Sequence, residues 1–265
     1  HGVAVRDIWS TSRKELFNMT PKNQTGPNYS DLARIVLERA KSARDAVKIV
    51  SNLIKKYGES TYGGNSHIFA DSNEAWVMIQ FAGGAGLWAA ERLGPNSIRA
   101  SRPGYIENIP IKEKHNPNFL YSDNLIQFCK KKRWYSSGHF NVNKILGDGK
   151  CRWKGVKWIE GEIKKLAQRP EKIELHDVMW AIRTPKLTGD TAGYGQIVPL
   201  FNPSHDNLRM LWHSPIGAVA SPFSPVFMGQ TIVPEEFMMH RYLTVGESHR
   251  FSDERKLNEK GSLSL

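Results

Sequence analysis

Between residues 31 and 57, apolar side chains recur at Leu32, Ile35, Val36, Ala40, Ala43, Val47, Val50, Leu53, Ile54 and Tyr57, the spacing of one helical face. Ser42 followed three residues later by Asp45 is an internal start signal, so two helices are predicted to meet near Lys41, with Gly58 ending the second. The period then changes. Residues 66–70 and 75–80 are short runs of apolar and aromatic residues separated by Asp71, Ser72, Asn73 and Glu74, which reads as a β-hairpin closed by turn-forming side chains. Runs at 87–92 and 98–111, the latter broken at Pro103 and Gly104, extend this into an antiparallel meander. Residues 2–12 read as a strand and 17–30 as a loop.

Ser122 is placed to cap a helix over 123–132 that turns Leu125, Ile126 and Cys129 inward. Residues 138–149 read as loop, 154–168 and 176–183 as helices, and 196–230 as a second set of short strands interrupted by Pro and Gly. The expected class is α+β, helices on antiparallel sheets, in one domain over 1–247 with a polar tail at 248–265. With 265 residues, 40% of them hydrophobic, the chain can build a sizeable core.

Charge changes this picture little. Although 37 basic against 26 acidic residues give +11, the one dense run, residues 130–133, falls at an expected helix end, where cations oppose the dipole. No nucleic-acid signature accompanies the charge, and no apolar run approaches the roughly 18 residues a membrane span needs, so neither nucleic acid nor a membrane span is expected. Cys129 and Cys151 cannot make a disulfide framework and match no metal motif, so no metal or other cofactor is expected. Sequons at Asn18, Asn23 and Asn28 cluster in the first loop and favour a secreted or extracytoplasmic, glycosylated chain. The chain opens at His1, in what reads as the inside of a strand, so a processed or truncated start is expected.

Motifs for phosphate loops, zinc helices, nucleophile elbows and redox cysteines do not occur. The adjacent pairs His176-Asp177 and His205-Asp206 read as caps or turns. What stands out is Gly63-Gly64-Asn65, two conformationally free residues and an amide at the mouth of a buried hairpin. Asn65 is a turn residue or part of a site.

The helical run from Asp31, the Leu53 to Gly58 segment and the hairpin Gly-Gly-Asn-Ser-x-x-x-Ala-Asp-x-x-Glu-Ala-Trp-Val together resemble the secernin and dipeptidase family of N-terminal nucleophile hydrolases. His176 to Met179, Leu211 to Gly217, Phe223 to Phe227 and Val233-Pro234 resemble its later segments. The resemblance implies a four-layer αββα sandwich and a cysteine nucleophile at a mature N-terminus whose α-amino group is the base. It implies acyl transfer through a thioester, on a dipeptide or small amide. Asn65 is carried over as an oxyanion-hole candidate, and Arg102 and Tyr105, on the expected strand after the hairpin, as substrate-binding candidates. Gln80 stands where the family usually has Glu. No N-terminal cysteine is present, so the resemblance covers the family's later portion. It expects the nucleophile on an upstream segment or a second chain; the alternative is a non-catalytic binding or assembly protein. Oligomeric state is left open.

Overall fold

The computed structural model describes residues 1–101, 104–113, 116–150, 152–188, 194–215, 217–230 and 232. Its centre is a five-stranded antiparallel sheet in the order β1-β2-β3-β4-β6, built from β1 (Ala4–Trp9), β2 (Asn65–Ala70), β3 (Ala75–Gln80), β4 (Trp88–Leu93) and β6 (Phe119–Tyr121). The predicted hairpin is β2 and β3, paired from Asn65 opposite Gln80 to Ala70 opposite Ala75.

That register sorts the side chains. Phe69, Trp76, Met78 and Ala90 lie on one face, in a core shared with Leu32 and Val36 of α2 (Tyr29–Arg39) and Val47, Val50 and Ile54 of α3 (Ala43–Tyr57). Trp76 and Phe69 are fully buried, and each large side chain removed from water in this way contributes roughly 1.5–3 kcal/mol. The opposite face carries Ile68, Val77, Ile79, Ala89 and Tyr121 against Leu16, Ile106, Phe140, Val142 and Leu146.

The two helices meet where the sequence placed the junction. Asn28 caps α2 in a reciprocal capping box with Asp31, the Ser42 hydroxyl accepts from Asp45 N at 3.1 Å, and Gly58 ends α3 at φ 74°. Asp71 joins α3 to the hairpin. One of its oxygens takes the backbone N–H groups of Asn73 and Glu74, at 2.8 and 3.0 Å, and the other takes Ala43 N at 2.7 Å in the first turn of α3.

Several expectations are corrected. Residues 17–30 are not all loop, since α1 (Lys14–Met19) buries Leu16 beneath the hairpin exit. Of the described residues in the extended run over 98–111, only β5 (Asn108–Ile109) is strand, and it pairs with β7 (Phe140–Asn141), not with β4. The meander is instead completed by β6 beside β4. The helix α4 (Leu125–Lys131) buries Cys129 as expected, but Ser122 does not cap it; its hydroxyl accepts from Trp88 N at 3.3 Å. The expected loop at 138–149 contains β7 and α5 (Val142–Ile145).

Beyond α6 (Lys154–Leu166) and α7 (Leu175–Arg183), a second antiparallel sheet runs β10-β9-β8, from β8 (Gly195–Ile197), β9 (Met210–Ser214) and β10 (Ser224–Phe227). A cleft of about 390 Å³ separates Arg6 and Ile68 from Tyr194, Gly195 and Gln196, and Arg6 Nη1 donates to the Tyr194 hydroxyl at 2.5 Å. The second sheet therefore lies on the side of the first that is remote from α2 and α3. Both adjacent His-Asp pairs serve local structure: Asp177 accepts from Glu174 N at 2.9 Å at the start of α7, and His205 Nδ1 from Asn207 N at 3.2 Å. No helix among the described residues is long and apolar enough to cross a membrane. Arg102, Cys151, Val233, Pro234 and the tail at 248–265 lie outside the described residues.

Candidate functional site

The chain enters the hairpin through a segment fixed almost entirely by backbone and small polar groups. Ser60 Oγ donates to Gly26 O at 2.6 Å, and Gln24 holds both backbone groups of Thr61, accepting from its N–H at 2.9 Å and donating to its carbonyl at 3.1 Å. Thr61 Oγ1 then accepts from Gly64 N at 2.9 Å. Gly63 and Gly64 adopt φ of 149° and 117°, and the reason for glycine is steric as well as conformational. A Cβ on Gly64 would stand 2.4 Å from Ser10 O, and one on Gly63 would enter the Phe17 ring. The backbone leading to Asn65 is thus pressed against β1 and α1.

Asn65, the first residue of β2, is 4% exposed, and its Nδ2 is enclosed with no hydrogen-bond partner. Directly opposite on β3, Gln80 is fully buried and its Nε2 is likewise enclosed and unpartnered. An unsatisfied buried amide costs about 1–3 kcal/mol, and two on adjacent strands make this the most strained polar spot on the sheet's face. His67, two residues along β2, completes the row. Its Nδ1 lies 3.2 Å from Gln80 Oε1 and its Nε2 3.0 Å from the Tyr29 carbonyl, with the ring stacked 5.5 Å from Phe69. Burial pushes His67 below its ordinary pKa, opposed by its hydrogen bonds and by Asp7, its cross-strand neighbour on β1.

On the other face a second polar knot holds the following loop. Ser10 Oγ donates to Ser66 Oγ at 2.9 Å, Ser66 Oγ to Ile8 O at 2.8 Å, and Gly104 N to Ser10 Oγ at 2.8 Å. A Cβ on Gly104 would stand 2.4 Å from Ser66 Cβ. This contact delivers Tyr105, which does not lie on a strand but in a loop between β4 and β5. Tyr105 lines a polar cleft of about 630 Å³ with Glu91, Arg99, Arg152, Glu160 and Lys164. Arg99 donates to the Tyr105 carbonyl at 2.9 Å and to Glu91 at 2.8 Å. At its far wall burial would raise Glu160, but the donors Arg152, Lys164 and Ala100 N prevail and hold it at about 2. These charged residues were not legible in the sequence, because ordinary surface Glu and Arg carry no local signal until the fold converges them.

The remaining predicted residues fall into place separately. Asn18, Asn23 and Asn28 are all exposed, Asn18 on α1 and Asn28 as the cap of α2. Cys129 is fully buried, and burial pushes its thiol up to about 11, only partly offset by Arg13. That is the environment of an inert core thiol.

Comparison with known proteins bears on the family. The sequence pattern of the family described as "Peptidase family C69" matches residues 4–154, a span that includes the whole five-stranded sheet, Asn65, Gln80 and Tyr105. "Probable dipeptidase B" of Lactococcus lactis subsp. lactis is 29% identical over 148 residues, covering 54% of this chain and 30% of the relative. "Probable dipeptidase" of Latilactobacillus sakei is 25% identical over 202 residues, covering 72% of this chain and 40% of the relative. The chain thus spans less than half the length of these curated relatives. Since the family's pattern accounts for more than half of its residues, the chain belongs to Peptidase family C69.

Proposed function

We propose that this chain forms the oxyanion-binding and substrate-binding part of a cysteine-dependent dipeptidase or related amidohydrolase, on an αββα sandwich of the N-terminal nucleophile type spanning residues 1–247. The observation that carries the reading is the enclosed, unpartnered Nδ2 of Asn65. A donor already stripped of water, with an N–H group still to give, is suited to bind an oxygen that gains charge only during reaction. The two antiparallel sheets and their flanking helices support the sandwich, and the dipeptidase relatives support the peptide substrate.

Cys129, buried and with a raised pKa, is not an activated nucleophile. The resemblance to N-terminal nucleophile hydrolases assigns the thiol instead to a cysteine at a mature N-terminus, a context neither Cys129 nor Cys151 has in the sequence, on another stretch of the polypeptide or a second chain, with its own α-amino group as base. Thiolate attack on the scissile carbonyl carbon forms the C–S bond and places the negative charge on oxygen, within reach of Asn65. Collapse breaks the C–N bond, and the amine leaves with the proton the base had taken. Water then attacks the thioester, releases the carboxylic acid and restores the thiol. Tyr105 and Arg102 are the substrate-binding candidates that the resemblance supplies; the cleft beside Tyr105 opens on the sheet face opposite Asn65, and its Glu91 and Glu160 are already paired with Arg99, Arg152 and Lys164.

In thiol-dependent hydrolysis of a dipeptide panel by the full-length protein, Asn65→Ala should lower kcat about 10²–10³-fold with KM little changed. In the same assay Tyr105→Phe should raise KM about 2–10-fold and spare kcat. An intact fold without thiol-dependent hydrolysis would replace the catalytic reading with that of a binding or assembly protein. Unchanged kcat in Asn65→Ala would remove Asn65 from the site.

A further inference from the structure

His67 poses a problem of proton arithmetic. Its two ring nitrogens face the Tyr29 carbonyl at 3.0 Å and the Gln80 side-chain oxygen at 3.2 Å, and both are acceptors. A neutral imidazole has one N–H to give, so one of these contacts would set a lone pair against a lone pair. Burial favours the neutral ring; Asp7, the charged group facing it from β1, favours the charged one.

The two ends of a carboxamide have the same shape, so chemistry must decide which end points where. Tyr29 O can only accept, which assigns His67 Nε2–H to it. Nδ1 is then an acceptor, and Gln80 must turn its NH₂ towards it. The same turn presents the Gln80 oxygen where an unpartnered nitrogen had been. Asn65, directly opposite Gln80 in the strand register, has the unpartnered NH₂, and side chains so paired are about 4.5–5.5 Å apart at Cβ. With that turn Gln80 Nε2 gains a partner in His67, and Gln80 Oε1 becomes an acceptor that the strand register places opposite Asn65.

We infer that Tyr29, His67, Gln80 and Asn65 form a directed hydrogen-bond relay in which Gln80 is a positioning residue for Asn65. His67 Nε2–H donates to Tyr29 O, Gln80 Nε2–H to His67 Nδ1, and Asn65 Nδ2–H to Gln80 Oε1. The relay fixes which end of the Asn65 amide is the donor end and leaves its second N–H for the oxyanion. This last step rests on the proposed catalytic role of Asn65; the relay itself does not.

The relay is tested first on the wild-type protein, by two-bond ¹H–¹⁵N correlation spectroscopy of the His67 ring at neutral pH. The expected result is a neutral ring with Nε2 protonated and Nδ1 bare. A proton on Nδ1, in either the other tautomer or the imidazolium, overturns the relay whatever the enzyme does. The second arm uses the full-length enzyme. Gln80→Leu should lower kcat about 10–100-fold with KM within about twofold, and Gln80→Glu, which keeps an acceptor for Asn65, should recover most of the loss. In an Asn65→Ala background, Gln80→Leu should change kcat by less than about twofold, because its effect passes through Asn65. Additive losses overturn the positioning role. If the wild-type protein hydrolyses no dipeptide, the catalytic reading fails and the spectrum alone decides the relay.

Discussion

Glu59, just after α3, has an enclosed Oε1 with no partner, and burial pushes its carboxyl from 4.5 up to about 8. Because the folded pKa is raised, its contribution to stability is complete below about pH 4.5 and disappears as pH rises through 8. His67 acts in the opposite sense: its folded pKa is lowered from 6.5, so stability is lost as pH falls below that value. Glu59→Gln should therefore abolish the decline between pH 5 and 8, on the order of 3 kcal/mol in the wild type, while keeping the acid decline. Urea unfolding at pH 5, 6.5 and 8 separates the two. A wild type whose stability changes with pH no differently from the variant's would mean that Glu59 meets water. At this scale the sequence was half legible. Asn65 announced itself through Gly63 and Gly64 before it and the turn after it, whereas Gln80 and His67 gain meaning only from a strand register and a carbonyl 38 residues away in sequence.

Among the elements, those long enough to show a period were the readable ones. α2 was found from its apolar face, α3 from its apolar face and its Ser42 and Gly58 ends, and the hairpin from its alternation and turn. The elements missed have two to six residues: α1, β6, β7 and α5, while β5 was read as extended but paired wrongly. A piece that short has no period to detect and exists because a neighbour completes it, as when Arg92 N donates to Asn118 O at 2.8 Å beside β6. Caps, being local, transfer well from sequence to energy. Asn28→Ala removes the acceptor for Ser30 N and Asp31 N and should cost about 1 kcal/mol in urea unfolding. It also removes one sequon, so Asn28→Asp, which keeps the cap oxygen, should restore stability and separate the two effects.

For the molecule as a whole, resemblance supplied what periodicity could not: membership of a peptidase family, now shown by the match over residues 4–154, which takes in the five-stranded sheet. The α+β class was legible from the order of periods; the polar cleft around Tyr105 was not, since its walls come from β4, the following loop and α6. One feature of the fold bears on how such a chain assembles. Asp71 clamps the hairpin turn with one oxygen and the start of α3 with the other. It couples a local turn to a contact 28 residues distant, which makes the pair a natural test of whether turn closure and helix docking occur together at the folding barrier. If they do, Asp71→Ala should slow refolding several-fold while leaving the unfolding rate nearly unchanged, with a φ-value near 1. If the loss appears only in unfolding, the clamp closes after the barrier, and the hairpin and α3 meet as separately finished parts.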